Sequence, residues 1–460
     1  MFLNAEKIAE YVTVEVSFFC FCVTNEIMKF LNDNLYLQKA CRFNQTIEPD
    51  LDTPCDDEGL GILFVSEISS KYAPISFFLS HVITIFATSW SDEAGRRRRP
   101  LIFIPLISQI ITALLGCVYS YFWYIEPTYA VFSEIIIHGT SGGMSLITYA
   151  SQMYLCDICL MESRTMRLGV LGAIKVITIL IGKGGSGFIL RSFGFLFSYF
   201  LCYLVSTMGL VLGLLFIKDM SIPMEKQKKI HQFINIGVVV DSFRVVFKKS
   251  LGRKRIVVLS LLVTNVISYF TTCGEFAVMY LYLRYRFRWD ERKYSAFMLY
   301  KFSVSTFGIL FSSVILSRRL KWHDGLIGMF AGFWDTMAVI GLFFASLDWQ
   351  IYLIPLLDVF HGTALTVSTS FMSKYYDSTE LGRLGAVYNV VGLAAPFAYP
   401  LYNVIFQKTL DTSFPAAFCV ASVALDIITV VLYGAAYLYA KKLDKQNSIG
   451  VDGNPAITSK

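Results

Sequence analysis

Ser91-Asp92-Glu93-Ala94-Gly95-Arg96-Arg97-Arg98-Arg99-Pro100 separates two apolar runs, Ala73 to Trp90 and Leu101 to Tyr119. Each run is long enough to cross a bilayer as a helix. Four adjacent arginines cannot sit in hydrocarbon, and short basic loops are retained on the cytoplasmic side, so this turn is expected in the cytoplasm. With it placed, the sidedness of every other segment follows by alternation.

The composition agrees with a membrane chain. Of 460 residues, 55% are hydrophobic and only 16% charged, with mean hydropathy +0.56. That balance excludes an ordinary soluble globular protein. Twelve apolar segments of spanning length are predicted at 8–30, 72–90, 101–120, 128–152, 166–190, 195–217, 254–283, 295–316, 325–346, 351–372, 384–406 and 415–440. An even number of spans puts both termini in the cytoplasm. Lys and Arg then concentrate in the inner loops, so the net charge of +6 reflects topology and not a nucleic-acid partner. Glu15 and Glu26 in the first segment, with no basic leader, make it an uncleaved span and not a signal peptide.

The predicted organisation is an all-α membrane protein of two six-helix bundles. The first bundle covers 1–217 and includes an outer loop at 31–71; a basic cytoplasmic linker follows at 218–253. The second bundle covers 254–440 and a cytoplasmic tail 441–460. The outer loop carries the sequon Asn44-Gln45-Thr46, expected to be glycosylated. Cys41 and Cys55 share this loop, and a disulfide is expected between them. A second basic cluster, Arg284, Arg286, Arg288, Arg292 and Lys293 around Trp289, falls on the outer side. It reads either as an interfacial belt or as an electropositive mouth.

The halves repeat. Glu134-Ile-Ile-Ile-His138-Gly139-Thr140 corresponds to Asp358-Val-Phe-His361-Gly362-Thr363, each a carboxylate one helical turn before His-Gly-Thr. Glu162-Ser-Arg164 corresponds to Glu380-Leu-Gly-Arg383, and the opening turn has a weaker echo at Ser317-Arg318-Arg319-Leu-Lys321-Trp-His-Asp324. Internal duplication of this kind is typical of transporters.

Charges inside a bilayer cost at least about 2.5 to 3.5 kcal/mol each, so those present are candidates for substrate or proton handling. They are Glu134, His138, Lys175, Lys183, Glu275, Lys301, Asp358 and His361. Histidine beside a carboxylate can change charge near neutral pH, which makes the two pairs proton-responsive elements. Lys175 and Lys183 are expected to bind anionic groups or to pair with Glu134 or Glu275; Glu275 and Lys301 can pair directly. Asp335 and Asp426 are expected to pair structurally. Gly182-Lys-Gly-Gly-Ser-Gly187 lacks the spacing and the strand of a phosphate loop. No nucleophile-base pair or metal constellation is visible, so neither an enzyme, a cofactor nor a metal is expected.

Asp92-x-x-Gly95-Arg96-Arg97-Arg98 after the second span of a six-plus-six chain resembles the major facilitator superfamily, with Thr88 where that motif usually has glycine. Asn34-Leu-Tyr-Leu-Gln-Lys39-Ala-Cys41, Asp157 followed by Ser163-Arg-Thr-Met-Arg167, Ser373-Lys374 and Glu380-Leu-Gly382 are similar to solute carrier family 46. That group contains the proton-coupled folate transporter, the thymic stromal cotransporter and insect relatives. The resemblance implies alternating access, with Asp92, Gly95, Arg96, Asp157, Arg164, Glu380 and Arg383 gating the inner side. It also places Asp335 and Asp426 on the exterior of the bundle. Gly172 and Thr369 replace an acid and an arginine of the folate transporter's pattern. The implied function is symport of an organic anion, folate-like or muropeptide-like, with protons. The expected partners are that small molecule, protons and the bilayer, for a monomer in the plasma membrane or alternatively an endolysosomal membrane. A non-transporting receptor or scaffold on the same fold is the alternative.

Overall fold

The computed structural model describes residues 13–42, 47–49, 51, 55, 57–93, 97–159, 161–218, 254–364, 367–368, 371, 392, 394–410, 412 and 414–452. Helix dominates throughout, and no strand occurs among the described residues. The helices in order are α1 (Glu15–Cys41), α2 (Glu58–Lys71), α3 (Ala73–Glu93), α4 (Arg99–Tyr121), α5 (Pro127–Ser141), α6 (Gly143–Ile158) and α7 (Met161–Phe216). After them come α8 (Lys254–Phe287), α9 (Glu291–Phe311) running on as a π-helix over Ser312–Arg319, α10 (Asp324–Phe344), α11 (Asp348–Leu357), α12 (Ala395–Thr409) and α13 (Phe418–Asp452). Seven described helices are long and apolar enough to cross a membrane.

α1 continues well past the expected boundary at residue 30. Its polar end looked like a loop, but Asn32, Asn34, Gln38 and Lys39 are buried. Asn34 donates to the Phe30 carbonyl at 2.9 Å, and the Lys39 ammonium to the carbonyls of Trp123 and Ile125 at 3.0 and 2.8 Å. Polar side chains satisfied inside the protein do not end a helix. Cys41 and Cys55 form the expected disulfide. It leads into α2, where the Asp57 carboxylate caps the helix by accepting from the Leu60 N–H at 3.0 Å. Asn44 lies outside the described residues.

Two of the expected continuous spans are broken. The fourth divides into α5 and α6 at Gly142, whose φ of 72° is left-handed. The tenth stops as a helix at Leu357; Asp358 to Gly362 form a turn, with Gly362 at φ 77°. Beside each break a serine of another helix donates to a backbone carbonyl, and Gly142 O also keeps the Leu146 N–H at 2.9 Å. Ser80 of α3 donates to Gly142 O at 2.7 Å, and Ser305 of α9 donates to His361 O at 2.8 Å. The expected boundary between spans five and six falls at Gly194, whose φ of 75° and ψ of 179° kink the chain between the two helices joined in α7.

The chain packs as two compact units. The first contains residues up to 239 together with Ala277–Ser303 and Tyr399–Leu410; the second contains Val240–Phe276, Val304–Ala398 and Asp411–Lys460. The first unit has a core of Phe18, Phe21, Ile102, Leu106, Ile147 and Leu155. The core of the second gathers Val258, Leu261, Ala331, Phe371, Tyr433 and Ala436, and the Tyr433 hydroxyl donates to the Ala364 carbonyl at 2.6 Å.

Candidate functional site

Glu26, Lys29, Asp33 and Tyr36 succeed one another at three- and four-residue spacing, so they share one face of α1. Among the described residues of α1, only Lys29 and Asp33 are exposed. A charged window in an otherwise buried membrane helix opens on polar space and not on lipid. Glu26 anchors it: its carboxylate lies 3.5 Å from the Lys29 ammonium and 3.9 Å from that of Lys183 on α7. Lys183 also stands 5.4 Å from the ring centre of Phe302 on α9. Lys175, two turns before Lys183, is within electrostatic reach of Glu26 and Lys29. Glu26, which was not among the sequence-based candidates, is thus a carboxylate partner of Lys183.

Glu134 is engaged elsewhere, because the Tyr36 hydroxyl donates to its Oε2 at 2.5 Å. No Glu134–His138 ion pair forms among the described residues, although Glu134 and Lys29 both act on the His138 ring at a distance. Asp33 is within electrostatic reach of Glu134, Lys183 and Lys29. A small cavity beside this group is lined by Asn32, Tyr36, Thr112, Tyr119, Glu134 and Tyr199. The Tyr199 hydroxyl there donates to Asn32 at 2.6 Å. Glu26, Asp33 and Glu134 thus lie among Lys29, Lys175 and Lys183, with Lys301 of α9 within electrostatic reach of Lys183.

Asp33 and Tyr36 were missed in the sequence because both fell beyond the expected end of the first span. The only signal for them was their helical spacing from Glu26 and Lys29.

In the second unit the Asp358–His361 pair is formed, with Nδ1 3.4 Å from Oδ1, although through a turn and not along a helix face. The Phe276 ring meets His361 edge-on, with centroids 6.4 Å apart. Asp335 joins this pair, and Asp426 is buried. Structural pairing was expected of both, and for Asp335 the partners are Asp358 and His361. Glu275 belongs to the second unit, and Lys301, buried, to the first.

The polybasic turn holds a partly different residue from the one the motif indicated. The Arg98 guanidinium donates to Asp157 at 2.8 Å through Nε and to Ser91 Oγ at 3.0 Å through Nη1. Arg98 and Asp157 are 5% and 16% exposed, so this pair is screened from water. A second ion pair joins the starts of α1 and α7. Arg167 donates to Glu15 Oε1 from Nη2 at 2.6 Å and from Nε at 3.0 Å. Gly95, Arg96, Glu380 and Arg383 lie outside the described residues, as do the side chains of Asp92 and Arg164.

Two members of the basic cluster around Trp289, Arg284 and Arg288, are paired with acids. Arg284 contacts Glu58 and Glu291, each at 2.6 Å, and Arg288 reaches Glu58 at 3.1 Å. Trp289 is buried, with the Lys293 ammonium 4.9 Å from its ring centre.

The sequence pattern of the Major Facilitator Superfamily matches residues 65–400. A Bos taurus protein, "Lysosomal proton-coupled steroid conjugate and bile acid symporter SLC46A3", is 26% identical over 370 residues, 76% of each chain. The Drosophila melanogaster "Probable peptidoglycan muropeptide transporter SLC46" is 21% identical over 395 residues, covering 81% of this chain and 73% of its own. Among solved structures, a peptide transporter of the POT type bound to sulfate superposes with TM-score 0.66 at 11% identity, over 95% of this chain and 99% of its own. The human organic anion transporter MFSD10 gives TM-score 0.62 at 13% identity, over 91% and 97%. At such identities the structures speak for the fold, which is that of a multi-pass membrane transporter. The chain belongs to the major facilitator superfamily, and its relatives there are members of solute carrier family 46.

Proposed function

We propose that this transporter carries an organic anion, folate-like or muropeptide-like, together with protons, by alternating access between two six-helix bundles with both termini cytoplasmic. The observation that carries the reading is the charged window of Lys29 and Asp33 in buried α1, backed by Lys183, Glu26 and Glu134. Lys29 and Lys183 both lie against the Glu26 carboxylate until an anion arrives, with Lys175 and Lys301 adding positive charge nearby. A cargo carboxylate that draws Lys183 from Glu26 leaves an uncompensated acid in the membrane. A proton on Glu134, Asp33 or His138 removes that cost, which couples the two ligands through charge balance. The relatives' names support the reading, since bile acids and muropeptides both carry carboxylates. The plasma membrane is the favoured location; the bovine relative's name supports an endolysosomal membrane as the alternative.

The test is uptake into proteoliposomes of radiolabelled bile acid conjugates, pterins and muropeptides under an imposed pH gradient. Saturable uptake of one class, accelerated by an acidic donor side and abolished in Lys183→Gln, is expected. Saturable binding with no uptake under any gradient would overturn the transport reading in favour of a receptor.

A further inference from the structure

Asp335 in the middle of α10, Asp358 at the end of α11 and His361 in the turn that follows bring two carboxylate oxygens and one imidazole nitrogen within 4.8 Å of one another. No spacing in the sequence suggests this set, because Asp335 and Asp358 come from separate helices and meet only through the fold. Two features set it apart from a chance gathering of acids. Asp335 Oδ1 is sealed from solvent with no donor among the described residues, a costly state for a carboxylate oxygen, and the Asp335 and Asp358 carboxyls lie within hydrogen-bonding reach of each other, so the pair must share either a cation or a proton. The turn that carries His361 is held in place by its backbone, through Gly362 at φ 77° and the Ser305 bond to the His361 carbonyl.

Charge points the same way. The groups acting most strongly on Asp335 are Asp358, Asp426 on α13 and Glu275 on α8, all of them acidic. We propose that Asp335, Asp358 and His361 form a binding site for a divalent transition-metal cation, with Asp426 adding negative charge around it. Two hard oxygens with one imidazole suit Mn²⁺, Fe²⁺, Co²⁺ or Zn²⁺; Mg²⁺ and Ca²⁺ favour all-oxygen sets. Metal–ligand bonds of about 2.0 to 2.2 Å place donors no more than about 4.4 Å apart. Small side-chain rotations therefore close the set around an ion. The site goes beyond the transport reading and does not depend on it, because binding is measured with no cargo present.

The experiment uses the full-length protein, purified without a histidine tag in detergent, stripped with chelator and exchanged at pH 7. Zn²⁺ stoichiometry is read by elemental analysis after equilibrium dialysis, and Mn²⁺-loaded protein by pulsed EPR. One Zn²⁺ per chain and a nitrogen coupling from imidazole are expected. Asp335→Asn and Asp358→Asn should each weaken Zn²⁺ binding at least about ten-fold, and Glu67→Gln, at an exposed acid of α2, should leave it unchanged. Zn²⁺ binding that is absent, or equally tight in a monodisperse Asp335→Asn protein, would overturn the proposal. If both Asp variants fail to fold, the wild-type EPR signal decides alone, and no nitrogen coupling means that the carboxylates share protons instead of a metal.

Discussion

The ion pair between Glu15 and Arg167 offers the sharpest quantitative test. Its side chains are 7% and 11% exposed, and two guanidinium nitrogens converge on one carboxylate oxygen at 2.6 and 3.0 Å. With charge centres about 4 Å apart and an effective dielectric of about 20, the Coulomb attraction is about 4 kcal/mol. Desolvation of both groups offsets much of that, so the pair as a whole contributes little net stability. Removing one partner is different, because the other is left charged and dry, at about 3 to 5 kcal/mol. The residual exposure places the expectation near 3 kcal/mol, or a factor of about 150 in the folding equilibrium. Glu15→Met and Arg167→Met should each destabilise by about that amount, while the double variant returns close to wild type. Unfolding in mixed detergent micelles by SDS titration measures all four proteins. Single losses that sum to the double loss would show that no coupling exists between these groups and would refute the reasoning.

Other outcomes follow from particular contacts. Tyr36→Phe removes the hydroxyl that donates to Glu134 and should lower thermal stability by the equivalent of about 1.5 to 3 kcal/mol, with Tyr199→Phe as the comparison at a neutral acceptor. Reducing the Cys41–Cys55 disulfide, or making Cys55→Ser, opens a loop with sequence separation 14. It should destabilise by about 3 kcal/mol, seen as a shift in melting with and without reductant. Gly142→Ala meets both a left-handed φ and the Leu146 side chain at 2.6 Å, whereas Gly362→Ala meets the φ and only the end of the Ile309 side chain, at 3.4 Å. The first should therefore cost more than the second, which is held to about 1 kcal/mol of strain. Burial pushes the Glu48 carboxyl above its ordinary 4.5, partly countered by the Phe195 and Leu196 N–H groups. A folded pKa that is raised favours the protonated folded state, so this contribution is present at low pH and is lost as pH rises through that pKa. Melting temperature should fall across that window in wild type, and the slope should be smaller in Glu48→Gln.

Much of the fold was legible because bilayer thickness sets the length of an apolar run, and because charge repels hydrocarbon. The polybasic turn showed the family for the same reason. What stayed hidden depends on polar groups that find partners far away in sequence. Asn32, Asn34 and Lys39 looked like loop residues, yet they are buried in a helix that carries Asp33 into the charged group. Glu26 looked like an end residue and is the partner of Lys183. Periodicity correctly put Glu134 and His138 on one face, but it could not foresee that Tyr36 would occupy the carboxylate. Asp335 was expected to pair, but nothing local in the sequence links it to Asp358. The broken helices were unreadable for a similar reason: glycine permits a left-handed turn, but whether it takes one depends on a serine on another helix.

Those serines bear on how the protein is made. Ser80 precedes the carbonyl of Gly142 in the chain, and Ser305 precedes that of His361. Synthesis runs from the N-terminus, so in each half the capping helix leaves the ribosome before the segment that breaks. An interrupted helix is poorly tolerated in lipid alone, because backbone groups at the break have no water to bond. Here the hydroxyl is already in the membrane when each break arrives, and the same order of events serves both halves.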